Sequence, residues 1–196
     1  MKVLAFTGSM RAESINRRLL LVACERLTER GSHVTELQLR DLKLPMFDED
    51  MEGALKAKGE PMPEPVVRLQ DAMLEADALL IASPEYNGTM SPALKNAIDW
   101  CSRRADDQGG LACYRNKIAG IMATSGGGLG GIRGLPDLRR VLSGIGVHVV
   151  PQDFACPRAP MDAPADWPDE STVAGAHRVA DALCGTTRAV LTARAD

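Results

Sequence analysis

Ala76-Asp77-Ala78-Leu79-Leu80-Ile81-Ala82-Ser83 is followed at once by Pro84. A short, continuous apolar run closed by a proline reads as a strand in the middle of a sheet, with apolar cover on both faces. Pro92 then sits in the first turn of a helix, where its missing N–H costs nothing, and that helix runs to about Arg104. Upstream, Val3-Leu4-Ala5-Phe6 is a second buried-strand signal that stops at Gly8. Ile15, Leu19, Val22, Ala23 and Leu27 recur at helical spacing and end before Gly31. His33 to Leu39 alternates as a strand, and residues 66–75 form a short helix. Downstream, Lys117 to Thr124 is a strand ending in a glycine cluster, Leu135 to Leu142 a helix, and Val147 to Val150 a strand stopped by Pro151. From about Asp169 the chain is Ala-rich and helical.

Strand and helix alternate through the whole chain, which means parallel β with right-handed crossover helices on both faces. Five strands in about 150 residues suit a flavodoxin-like, doubly wound three-layer sandwich, with strand order 2-1-3-4-5. Residues 1–196 are expected to make one such domain. Ligands then sit beyond the C-terminal ends of the strands. Two proline-rich stretches, 45–65 and 151–168, read as long surface loops that are lids, interface pieces or plain excursions.

Composition narrows the function classes. The 196 residues are 45% hydrophobic and 25% charged, with 23 basic and 26 acidic side chains and a net charge of −3. That balance argues against a nucleic-acid surface and against a polybasic membrane anchor. There is no apolar run long enough for a membrane span, and the apolar start before Thr7 is too short for a signal peptide. Five cysteines, an odd number without a C-x-x-C, fit reduced thiols in a cytoplasmic protein. The three histidines are widely separated, so no metal site is expected.

Three loops follow strands and should converge at one sheet edge. The first, Gly8-Ser9-Met10-Arg11-Ala12-Glu13-Ser14-Ile15-Asn16-Arg17, offers backbone N–H groups, hydroxyl donors and a guanidinium at a helix N-terminus. That is an anion pocket, provided Glu13 points to solvent, while Ser14 alone could be a plain N-cap. It lacks the P-loop spacing, which disfavours nucleotide hydrolysis. The second, Ser83-Pro84-Glu85-Tyr86-Asn87-Gly88-Thr89-Met90-Ser91-Pro92, is stiffened by Pro84 and turned at Asn87-Gly88, where positive φ is needed. Tyr86, one of two tyrosines, stands there either as a platform for a flat heteroaromatic ring or as an ordinary surface side chain on a tight turn. The third, residues 124–134, places six glycines where a backbone can approach a ligand closely. Gly126, Gly128 and Gly131 spell G-x-G-x-x-G, but after the fourth strand and without the acidic ribose partner, so the dinucleotide fingerprint is rejected.

Together, G-S-x-R-x-x-S-x-N-R after the first strand, P-E-Y-N-G-T followed by Leu94-Lys95-Asn96-Ala97-Ile98-Asp99-Trp100 after the third, and the glycine-rich loop after the fourth resemble the NAD(P)H-dependent FMN reductases, a family that includes quinone and chromate reductases. The likeness covers about residues 2–152. It implies that Ser9, Arg11, Ser14 and Asn16, with Ile15 beside them, hold the FMN phosphate. It implies that Pro84, Glu85, Tyr86, Asn87 and Gly88 lie along the isoalloxazine and ribityl chain, and that Ser125, Gly126 and Gly127 close over the ring's polar edge. It implies NADPH or NADH as co-substrate, a small flat acceptor (flavin, quinone, azo compound or metal oxyanion) using the same place in turn, and a homodimer or homotetramer. No catalytic acid or base is then required of the side chains, because the chemistry is the cofactor's. Arg11, Arg17 and Arg133 are the cations available for a 2′-phosphate. Competing readings are a flavodoxin-type electron carrier, a flavin-free Rossmann enzyme and a non-catalytic interaction domain.

Overall fold

In the computed structural model, which describes residues 1–104, 106–162 and 167–195, five parallel strands form one sheet. They are β1 (Lys2–Thr7), β2 (His33–Gln38), β3 (Ala78–Ala82), β6 (Ile118–Thr124) and β7 (His148–Cys156), in the order β2-β1-β3-β6-β7. Counted along the sheet strands alone, that is 2-1-3-4-5, the flavodoxin-like order. A two-stranded hairpin, β4 (Glu85–Tyr86) and β5 (Thr89–Met90), stands apart from it.

Side-chain alternation builds the layers. Val3, Ala5, Ala78, Leu80 and Ala82 face one side, where α1 (Ile15–Glu29) and α7 (Glu170–Ala195) cover them. Leu4, Phe6, Leu79, Ile81 and Ile121 face the other, under α4 (Glu64–Glu75), α5 (Pro92–Ser102) and α6 (Gly134–Gly144). Both faces of β3 are fully buried, as its unbroken apolar run requires.

The structure corrects the end of the last strand. Pro151 does not stop the last strand: β7 continues to Cys156. β7 lies at the sheet edge, where proline withholds no obligatory ladder bond, and its pairing with β6 shifts register between Ala119 and Ile121, facing Val149 and Asp153. Arg139 of α6 donates to the carbonyls of Val149 (3.1 Å) and Val150 (2.9 Å) and to the Asp153 carboxylate (2.9 Å), so the bulged backbone is satisfied by a side chain. Within the 151–168 stretch, residues 163–166 lie outside the described residues. Trp167 is described: its carbonyl accepts from Arg18 at 2.5 Å, which ties that end to α1.

The 45–65 stretch is not a bare loop. After the short α2 (Leu39–Leu42) it contains α3 (Glu49–Lys58), N-capped by Asp48 and closed by Gly59 at φ 69°. Residues of the Leu94–Trp100 motif hold this excursion. Trp100 Nε1 and Asn96 Nδ2 both donate to Pro45 O at 2.9 Å, and Phe47 N donates to Asn96 Oδ1 at 2.8 Å. Phe47 meets the Trp100 ring edge-on at 5.0 Å. The buried Glu52 carboxylate accepts from Lys56 (2.6 Å) and Arg103 (2.8 Å). Burial pushes this carboxyl's pKa up, but the two cations outweigh it and hold it below its ordinary value of 4.5. The folded pKa is depressed, so the stabilisation is present above pH 4.5 and lost as pH falls through the lower, folded value. Glu52→Gln should therefore cost about 1–2 kcal/mol at pH 7, with the gap to wild type closing in strong acid. Urea unfolding at several pH values measures this, and a pH-independent gap would contradict it.

Candidate functional site

The loops after β1, β3 and β6 meet where the strands' C-terminal ends open. Gly8 ties the first two: its N–H donates to Ala82 O (3.1 Å) and its carbonyl accepts from Ser91 Oγ (2.6 Å), the cap of α5. A Cβ on Gly8 would stand 2.7 Å from that Oγ and 2.9 Å from Leu94 Cβ, so only glycine fits. Beyond it the loop is braced internally. Ser9 N donates to Thr7 Oγ1, Arg11 N to Ser9 Oγ, and Arg17 N to the helix-capping Ser14 Oγ. Ser9 Oγ and Ser14 Oγ act in these bonds as acceptors and keep a hydrogen to give. The N–H groups of Ile15 and Asn16 in the first turn have no helical carbonyl four residues back. No acidic residue occupies that turn, and Glu13 is exposed.

The second loop is the β4–β5 hairpin, turned by Asn87 (φ 53°) and Gly88 (φ 87°), the left-handed pair expected of a tight two-residue connection. Tyr86 is 45% exposed on it. The third loop is pinned from behind by the end of β7: Ser125 N donates to Cys156 O (3.3 Å), Ala159 N to Ser125 O (3.1 Å) and Arg158 N to Gly127 O (3.0 Å).

These loops enclose a crevice of about 200 Å³. Ser9, Arg11, Ser14, Ile15, Asn16, Pro84, Glu85, Tyr86, Ser125 and Gly126 line it. Asn87, Gly88 and Gly127 do not, because the first two form the hairpin tip and the third turns toward Arg158. Thr124 and Met161 join the lining without any sequence expectation. Met161 lies beyond Pro151, is 49% exposed and sits against Gly126, where a Cβ would come within 3.0 Å of its side chain. Arg11 Nη2 lies 3.5 Å from Met161 O, across the mouth.

Two expected ligands have committed side chains. Asn16 Nδ2 donates to Thr124 O (2.9 Å) and its Oδ1 accepts from Thr124 N (3.0 Å), lashing α1 to the end of β6. What Asn16 offers the crevice is its backbone N–H. The Glu85 carboxylate accepts from Arg133 and Gly134. Arg17 pairs with Glu36 through two contacts of 2.6 and 2.9 Å, away from any anion in the crevice. The donor set still fits a phosphate monoester, with one guanidinium, two hydroxyls and two helix N–H groups, and the open platform at Tyr86 suits a flat ring.

The sequence profile of the NADPH-dependent FMN reductases matches residues 1–160, past the point where the motif-by-motif likeness stops. The chain belongs to the NADPH-dependent FMN reductase family. An NAD(P)H-dependent FMN reductase of Pseudomonas aeruginosa is 36% identical over 148 residues, 75% of this chain and 72% of that protein. An NADPH:quinone oxidoreductase of Arabidopsis thaliana is 35% identical over 150 residues, 76% of this chain and 70% of that protein. Among solved structures, a flavoenzyme NAD(P)H:(acceptor) oxidoreductase from Paracoccus denitrificans superposes with a TM-score of 0.77 at 28% identity, covering 95% of this chain and 97% of its own. Membership in this reductase family favours an enzyme over an electron carrier.

Proposed function

We propose that this NAD(P)H-dependent flavin oxidoreductase binds FMN in the crevice, with the phosphate at Ser9, Arg11, Ser14 and the N–H groups of Ile15 and Asn16. The ring then rests along Pro84 and Tyr86, with Ser125 and Gly126 at its polar edge. One observation carries the reading: an anion-seeking helix start free of acidic residues opens into the same crevice as an exposed aromatic on a rigid hairpin. When bound, FMN supplies the hydride chemistry. The chain's own part is to fix the phosphate, brace the ring and leave one ring face open for the nicotinamide and the acceptor by turns.

The acceptor is a small, flat molecule of the quinone or flavin class, met by the apolar rim that Tyr86 and Met161 present. Exposed Leu129 and Ile132 on the third loop support a homodimer or homotetramer. The two apolar cores lie on opposite faces of one sheet, which supports one domain over 1–196. No described helix is long and apolar enough to cross a membrane. The odd count of cysteines, all free and buried, supports a cytoplasmic protein.

The test is steady-state oxidation of NADPH by the purified, FMN-loaded protein with a benzoquinone acceptor. Parallel double-reciprocal lines are expected, because donor and acceptor use one place in turn. Intersecting lines would contradict the shared place, and no oxidation without an added protein partner would restore the electron-carrier reading.

A further inference from the structure

The two walls of the crevice come from distant parts of the chain, and one carboxylate joins them. Glu85, on β4, has a side chain only 7% exposed, while its partner Arg133 is 60% exposed. Glu85 Oε1 accepts from Arg133 Nε (2.7 Å), and Oε2 accepts from Arg133 N (3.0 Å) and Gly134 N (3.3 Å). Those two backbone N–H groups open α6, whose cap residue, Arg133, provides no side-chain cap. The hairpin therefore supplies the cap that the helix lacks, and its negative charge lies at the positive end of the helix. A second tie lies one turn on, where Thr89 Oγ1 donates to the Asp137 carboxylate. The fit around the ties is close. A Cβ on Gly134 would stand 3.4 Å from Thr89 O, and one on Gly131 would stand 2.6 Å from Ala123 Cβ.

We infer that Glu85 is a positioning residue for the cofactor site and does not itself hold the flavin. Through Arg133 and the N–H groups of Arg133 and Gly134 it locks the glycine loop to the hairpin. Tyr86 on one wall and Ser125-Gly126 on the other then keep a fixed separation. Both carboxylate oxygens are spent on this clamp, so the residue expected among the ligands acts one step behind them. The inference rests on the FMN reading of the crevice, but the clamp has a readout that needs no flavin.

Glu85→Gln, Arg133→Met and the double variant are compared by amide hydrogen exchange in flavin-free protein and by FMN dissociation constant from fluorescence quenching. Glu85→Gln is expected to speed exchange over residues 126–134 about tenfold, leave α1 and β1 unchanged and weaken FMN about tenfold. Arg133→Met, which removes only the guanidinium bonds, is expected to shift both about threefold. The double variant should be no worse than Glu85→Gln alone, since both changes break one clamp. Unchanged exchange over 126–134 overturns the inference. So does a double variant whose two losses multiply, which would put the carboxylate on the flavin. Should Glu85→Gln fail to fold, Arg133→Met carries the exchange test, and an exchange rate equal to wild type overturns the clamp. A wild-type chain that takes up no FMN would refute the cofactor reading, while exchange would still decide the clamp.

Discussion

Alanine at Gly130 should destabilise the protein by about 3 kcal/mol, the combined effect of left-handed strain and an unrelievable overlap. Gly130 has φ 61°, and a Cβ there would lie 2.6 Å from the backbone carbon of Cys156 and from Pro157 N. Those atoms cannot yield, because Cys156 O already accepts from Ser125 N and from Thr124 Oγ1. At Gly128, two residues away, a Cβ would have nothing within 4 Å and φ is not positive, so Gly128→Ala should change stability by less than about 0.5 kcal/mol. Urea unfolding of the two variants checks the contrast. Equal midpoints would mean that the glycine loop does not rest on the end of β7.

Arg11→Ala should weaken FMN binding by about 1.5–3 kcal/mol, roughly ten- to hundredfold, while leaving the fold intact. Arg11 is exposed at the mouth and the one described hydrogen bond of its side chain is the long one to Met161 O, so truncating it opens no cavity. The loss should be specific to the phosphate. Riboflavin, which lacks that group, should bind wild type and Arg11→Ala with the same affinity. Fluorescence titration with both ligands measures this, and an equal loss for riboflavin would move Arg11 from the phosphate to the ring.

Much of the fold was legible because buried parallel strands announce themselves locally. The Ala78–Ala82 run and the glycines ending β1 and β6 are short-range signals, and they place three loops at one edge. What stayed hidden depends on contacts far along the chain. α3 carries few apolar residues, and its place is set by Glu52 meeting Arg103 and by Pro45 meeting Trp100, about fifty positions apart. β7 passes Pro151 because Arg139 satisfies the bulge from another element. At the site, residue types indicated which loops converge, but not which side chains are already spent. Asn16 looks like a phosphate ligand until Thr124 is seen to occupy it, and Glu85 looks like a ligand of the flavin ring until Arg133 and Gly134 are seen to occupy it. Met161 carried no local signal at all, since it enters the crevice only by the docking of residues 157–162 on Ser125 and Gly127.

The most direct measurement is a crystal structure of the protein soaked with FMN. The account predicts phosphate oxygens within hydrogen-bond distance of Ser9 Oγ, Ser14 Oγ, the Arg11 guanidinium and the N–H groups of Ile15 and Asn16, with the tricyclic ring against Tyr86. Density for the ring elsewhere, or a crevice closed by Met161 and Arg11 with no ligand inside, would contradict it.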